Sequence, residues 1–170
     1  MLTSAPLLMS SLGMLGVSKK ASAEPSFPAG KLEVSTDELV SIIRADLAER
    51  QYLVNGNVSS NVYLDDCYFT DARDDFGPGL KKWQRGTSLL FVANKSFAEL
   101  TGDVVFDPKT RTIEITKWRQ QDYFRLPGTP HSPVFTGSVT LTLHPTFNLI
   151  ARHDEKWDMD PDTITKQITF

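Results

Sequence analysis

From Val134 to Leu143 the chain alternates between apolar and hydroxyl-bearing side chains. Phe135, Val139, Leu141 and Leu143 point one way; Thr136, Ser138, Thr140 and Thr142 point the other. That is the period of a strand with one covered face. Such a strand requires partners at its edges and an apolar layer over that face, and the neighbouring sequence supplies both. Upstream, the runs Phe97 to Phe106 and Thr112 to Arg119 flank Asp107-Pro108-Lys109-Thr110, where Asp then Pro suit a type I turn and predict a hairpin. Downstream, His144-Pro145-Thr146-Phe147-Asn148 reads as a turn and Leu149 to Trp157 as the last strong strand.

The covering layer comes earlier in the chain. Ser35-Thr36-Asp37-Glu38 is a capping box. Leu39, Ile42, Ile43 and Leu47 follow at helical spacing, with Asp46, Glu49 and Arg50 at polar positions, and Asn55-Gly56 ends the helix and its exit. A shorter helix is expected from Asn57 or Ser59 to Leu64, broken by Asp65-Asp66, with a brief strand over Cys67 to Thr70. Asp74 to Gly79 is a turn segment, and a third helix runs from Leu80 into the Asn94 region. Leu80, Trp83, Thr87, Leu90 and Phe91 share one face of it, and Gly86 within it suggests a close packing contact. Helices followed by consecutive strands predict an α+β fold, with about three N-terminal helices packed on a curved antiparallel sheet. The third helix then closes the concave side, and the space beneath it is a cone-like pocket.

Length and charge bound the function. The 170 residues fit one domain, expected over residues 31–170, with residues 24–30 as a Pro- and Gly-interrupted linker. The formal charge of -3, without a basic stripe, argues against nucleic acid as a partner. Lys81-Lys82-Trp83-Gln84-Arg85 reads as a solvated helix face. The lone Cys67 excludes an internal disulfide and a Cys-rich zinc site, and reads as a small buried apolar residue. His131, His144 and His153 are too scattered for a metal site, and no cofactor fingerprint is present.

Residues 1–23 read as a targeting segment. They hold the uncharged apolar runs Ala5 to Met9 and Leu12 to Val17, then Ala21-Ser22-Ala23 ahead of Glu24, the small-residue pattern of an export cleavage site. The run is short and rich in Ser and Gly for a membrane span, so the mature chain is expected to carry no integral membrane segment. Lys19-Lys20 follows the apolar run instead of preceding it. The pattern resembles the second half of a bipartite presequence for the thylakoid lumen, which implies a chloroplast protein. The alternative is a plain N-terminal tail on a soluble cytoplasmic protein.

Tyr63-Leu64-Asp65-Asp66-Cys67-Tyr68-Phe69-Thr70-Asp71, the Gly79 to Trp83 opening of the third helix, and Arg152 to Asp158 together resemble the nuclear transport factor 2-like superfamily, also called SnoaL-like or cystatin-like. Asp46 to Gly56 is similar to a subgroup found in plants, algae and cyanobacteria. The resemblance spans about Val34 to Asp158. It implies the cone-shaped α+β fold, and a superfamily that holds isomerases, dehydratases, cyclases and binding-only members, often dimeric through the sheet. Fold alone selects none of these.

The candidate residues follow from strand parity and from this resemblance. On the last strand Leu149, Ala151, His153, Glu155 and Trp157 share the more apolar parity, which points His153 inward as a candidate base and leaves Asp154 outside with Arg152 and Lys156. Tyr63 or Asp65 could pair with His153 as donor. Asp65-Asp66 and Asp71 to Asp75, with Arg73 among them, form an acidic cluster better explained by turn chemistry or helix capping than by a cation site. Tyr63, Trp83, Phe91 and Trp157 are expected in the pocket wall, with Trp118 and Tyr123 at its mouth. Three functions fit: a module binding a small apolar or amphipathic ligand or a protein partner; a cofactor-free isomerase, dehydratase or cyclase with His153 as base; or a structural module that homodimerises through its sheet.

Overall fold

A computed structural model describes residues 26–170; the targeting segment expected over residues 1–23 lies outside the described residues. The element order is α1 (Thr36–Ala48), α2 (Tyr52–Asn55), a 3-10 turn (Ser60–Val62), β1 (Tyr63–Thr70), β2 (Asp75–Pro78), α3 (Leu80–Leu90), β3 (Phe97–Leu100), β4 (Val104–Asp107), β5 (Thr112–Gln121), β6 (Phe135–Leu143), β7 (Ile150–Trp157) and α4 (Pro161–Lys166). The seven strands form one curved sheet in the order β2-β1-β7-β6-β5-β3, with β4 also paired to β5. All pairings are antiparallel except β1 with β7, which is parallel. No described helix is long and apolar enough to cross a membrane.

The capping box forms: Ser35 Oγ accepts the Glu38 amide at 3.2 Å, and Leu39, Ile43 and Leu47 are buried on the inner face of α1. Asp46, expected at a polar position, is fully buried. It accepts the Ser59 amide at 2.8 Å and the Ser59 hydroxyl at 2.7 Å, so it ties α1 to the segment that leads into β1. Gln51 in a left-handed conformation breaks α1 from α2, and Gly56, with φ 74°, ends α2. α4 was not expected from the sequence.

The segment expected as a second helix and then a short strand is mostly strand. Only Ser60–Val62 turns helically, and β1 already starts at Tyr63. The buried phase Tyr63, Cys67 and Phe69 matches neither a helix nor a clean alternation, because residues between Tyr63 and Tyr68 bulge away from β7. Asp65 and Asp66 sit on that exposed bulge instead of ending a helix. The expected strand from Phe97 to Phe106 is split in two. The break faces a bulge in β5 at Thr116–Lys117, where the Thr101 and Gly102 amides both donate to the Lys117 carbonyl. The expected turn over Asp74 to Gly79 largely becomes the short edge strand β2.

Two bulges set the phase of the concave face. In β5, Ile113 and Ile115 are buried before the bulge, and Trp118 and Gln120 after it. In β7, an extra residue at Ala151 lets buried Ile150 share a face with His153. A bulge inserts one residue and so restores an inward face that strict alternation would have turned outward. Trp118 lies against Gly137 of β6: a Cβ there would clash with the Lys156 carbonyl oxygen and the Trp118 ring. Gly86 is the opposite case. A Cβ on it would meet nothing within 4 Å, so it marks open space and not the close contact expected.

Gly86→Ala is expected to stabilise the fold by about 1 kcal/mol through helix propensity alone. Gly137→Ala is expected to cost about 2–3 kcal/mol by overpacking. Urea denaturation of both variants checks the contrast; equal effects of one sign would contradict it.

Candidate functional site

Between α3, α4 and the concave face of the sheet lies a cavity of about 650 Å³. That is within the usual range for a small-molecule site. α3 supplies Trp83, Gly86, Thr87 and Leu90, followed by Phe91; β5, β6 and β7 supply Gln120, Phe135, Glu155 and Trp157. α4 covers one side with Ile164 and Thr165, and the segment between β5 and β6 adds Asp122, Phe124 and Ser132. The helix face read from the sequence as Trp83, Thr87, Leu90 and Phe91 therefore becomes a cavity wall.

Two hydrogen-bonded sets of side chains line the sheet side of the cavity. Trp157 Nε1 donates to Glu155 Oε1 at 2.6 Å. Gln120 Nε2 donates to Asp122 Oδ1 at 2.8 Å, and the Asp122 amide donates to Ser132 Oγ at 2.9 Å. Gln120 Oε1 is buried with no partner among the described residues. Glu155 keeps some accessible surface and lines the cavity, with apolar rings around it. Burial pushes the Glu155 carboxyl up to about 8, against the Trp157 hydrogen bond that lowers it; the charges of Asp71 and Asp122 raise it further. Burial likewise pushes Asp122 up to about 7, against the Gln120 hydrogen bond.

His153 is buried but does not line the cavity. Its Nε2 lies 3.0 Å from the Tyr52 hydroxyl, and Nδ1 has no partner among the described residues. Burial holds its imidazole down at about 4, so it is neutral near neutrality. It belongs to a ring cluster with Tyr52, Phe69 and Trp83. Trp83 stacks on Phe69 at 4.6 Å and also touches the cavity, so it stands between His153 and that space.

The other sequence candidates divide. Trp83, Phe91 and Trp157 line the cavity, as does Asp71, whose Oδ1 accepts the Arg73 and Asp74 amides in a turn. Tyr63 is wholly buried, stacked on Phe69 and away from the lining. Asp65 is exposed and pairs with Lys31 at 2.6 Å. Trp118 is fully buried behind Phe135 instead of at the mouth, because the β5 bulge turns it inward. Tyr123 packs on the His131 ring at 4.7 Å and does not line the cavity. Asp154 accepts from the Thr70 hydroxyl at 2.7 Å and pairs with Arg152, outside the cavity. Cys67 is buried, with its thiol pushed up to about 12.

Glu155, Gln120 and Asp122 were not among the residues expected to carry the site. The signal for Glu155 was present, since it shares the parity of His153 and Trp157. Gln120 and Asp122 follow the bulge, and no sequence signal marked their direction. Among the described residues no group of three or more His, Cys, Asp or Glu side chains is placed to hold a metal ion.

No protein-family model matches the chain, and no curated protein matches it. Solved structures do match in fold. One is a SnoaL-like protein from Jannaschia, 8% identical, with TM-score 0.57, covering 81% of this chain and 96% of that one. Another is a protein with a ketosteroid isomerase-like fold from Catenulispora acidiphila, solved with trimethylamine. It is 14% identical, with TM-score 0.50, covering 78% of this chain and 93% of that one. These likenesses establish the fold that the sequence resemblance implied.

Because the folded chain holds the Glu155 proton to higher pH than the unfolded chain does, this group costs stability as pH rises from the ordinary glutamate range through about 8. Glu155→Gln is therefore expected to raise the thermal midpoint at about pH 8.5 and to change it little at about pH 5. Equal shifts at both would contradict the assignment.

Proposed function

We propose that this nuclear transport factor 2-like, SnoaL-like fold serves as a pocketed binding module for one small, mostly apolar molecule. The observation that carries this reading is the cavity of about 650 Å³, walled by aromatic rings with two carboxyls inside it. The rings supply apolar contact area, and the carboxyls orient one polar end. Gly86 contributes space where a helix would ordinarily carry a side chain.

A second reading has one observation in its favour. Two carboxyls with raised affinity for protons in an apolar site are what cofactor-free proton transfer requires. Glu155, protonated near neutrality, would donate to a carbonyl oxygen of the ligand. Asp122, which titrates at about 7, would accept a proton. Such a pair would support an isomerase, dehydratase or cyclase. The base in this reading is Asp122 and not His153, whose Nε2 is engaged with Tyr52 and which stands behind Trp83.

Gly86→Leu tests the binding reading, because it fills the cavity from a position with open space. The unsubstituted chain is expected to be stabilised by members of a neutral alkyl and aryl ligand panel, by about 2.7 kcal/mol when ligand exceeds Kd a hundredfold. Gly86→Leu is expected to fold and to lose that stabilisation. Thermal shifts that persist in the variant, or none across the panel, would contradict the reading.

A further inference from the structure

The charges around the cavity are sorted by depth. Arg73 and Lys82 are both exposed at the rim and both engaged there: Arg73 Nη1 donates to Thr165 Oγ1 at 2.6 Å and Lys82 Nζ to the Phe76 carbonyl at 2.6 Å. Inside, the ionisable groups are acids. Among the described residues neither Glu155 nor Asp122 is in an ion pair. Their hydrogen bonds come from a neutral indole and a neutral amide. The walls around them are the faces and edges of Trp83, Phe91, Phe124, Phe135 and Trp157.

That arrangement has a definite preference. A carboxylate without a counter-charge in apolar surroundings is costly, and it takes up a proton instead. An aromatic face attracts a cation. A neutral ligand leaves the acids protonated and offers the rings no cation, and an anionic one adds a further like charge. An ammonium group satisfies both at once.

We infer that the ligand of this cavity is an apolar amine, whose ammonium group sits against Glu155 and Asp122 while its hydrocarbon part lies on the aromatic walls. The inference rests on the binding reading above and narrows it to one charge class. Proton linkage follows from it. In the free protein Glu155 holds its proton to about 8 and Asp122 to about 7. An ammonium favours the ionised forms, so its arrival expels protons and its affinity rises with pH through that window. Other charged groups lie around Glu155. Asp71 and Asp74 approach from the end of β1, Arg73 and Lys82 from the rim, and Asp154 and Lys156 flank it on its own strand. Neither α4 nor β6 contributes a charged side chain to the cavity lining.

Octylamine, octanol and octanoate present one chain with three head groups, and calorimetric titration at about pH 6 and about pH 8.5 separates them. At the higher pH octylamine is expected to bind about tenfold more tightly than octanol, with octanoate weakest. Its affinity is expected to fall about tenfold at the lower pH, and its binding heat to vary with buffer as protons are released. Glu155→Gln and Asp122→Asn are each expected to reduce the ratio of octylamine to octanol affinity about tenfold. Octanol or octanoate binding as tightly as octylamine would overturn the amine assignment and leave the binding module standing. Binding of none of the three would overturn both.

Discussion

The cavity depends on keeping one face of a curved sheet apolar through places where the sheet bends. A strand that bends by a bulge gains a residue, and each gained residue reverses the alternation. The insertions at Thr116–Lys117 in β5 and at Ala151 in β7 use that reversal. Trp118 and Gln120 come to face inward on β5, and His153, Glu155 and Trp157 on β7. The close fit of Trp118 against Gly137 locks the middle of this face. α3 and α4 then cover what the curvature leaves open.

The same burial acts in opposite directions on two neighbours of one strand. His153 and Glu155 are two residues apart on the inward face of β7. Desolvation penalises whichever form is charged, so it lowers the imidazole to about 4 and raises the carboxyl to about 8. Both are thereby neutral near neutrality. His153, engaged by Tyr52 behind Trp83, stays a structural group. Glu155 opens into the cavity and can exchange its proton with whatever enters. The strand thus carries two titratable inward residues, and position relative to Trp83 separates their roles.

Local patterns carried much of the fold. The Ser35 cap, the buried face of α1, the hairpin at Asp107 to Thr110 and the alternation of β6 all arise from neighbours in sequence, and all form. β1 was misread as helix and short strand because its partner β7 is distant in the chain and its centre bulges outward. α4 had a signal, Asp160 capping ahead of Pro161, but too few residues to show a period. At the site, residues on regular elements were legible: Trp83 and Phe91 from α3, Trp157 from the phase of β7. Trp118, Gln120 and Asp122 were not, because their direction is set by a bulge that no local pattern announces. His153 was placed on the correct face, but the ring of Trp83 that shuts it off from the cavity comes from a distant helix.

Everything proposed for this cavity depends on two carboxyls that stand desolvated among aromatic rings. Carboxyl carbon shifts followed by NMR across pH, with Glu155→Gln and Asp122→Asn used to assign the two signals, measure this directly. The midpoints expected are about 8 for Glu155 and about 7 for Asp122. Midpoints for both in the ordinary range of exposed carboxyls, about 4, would contradict it.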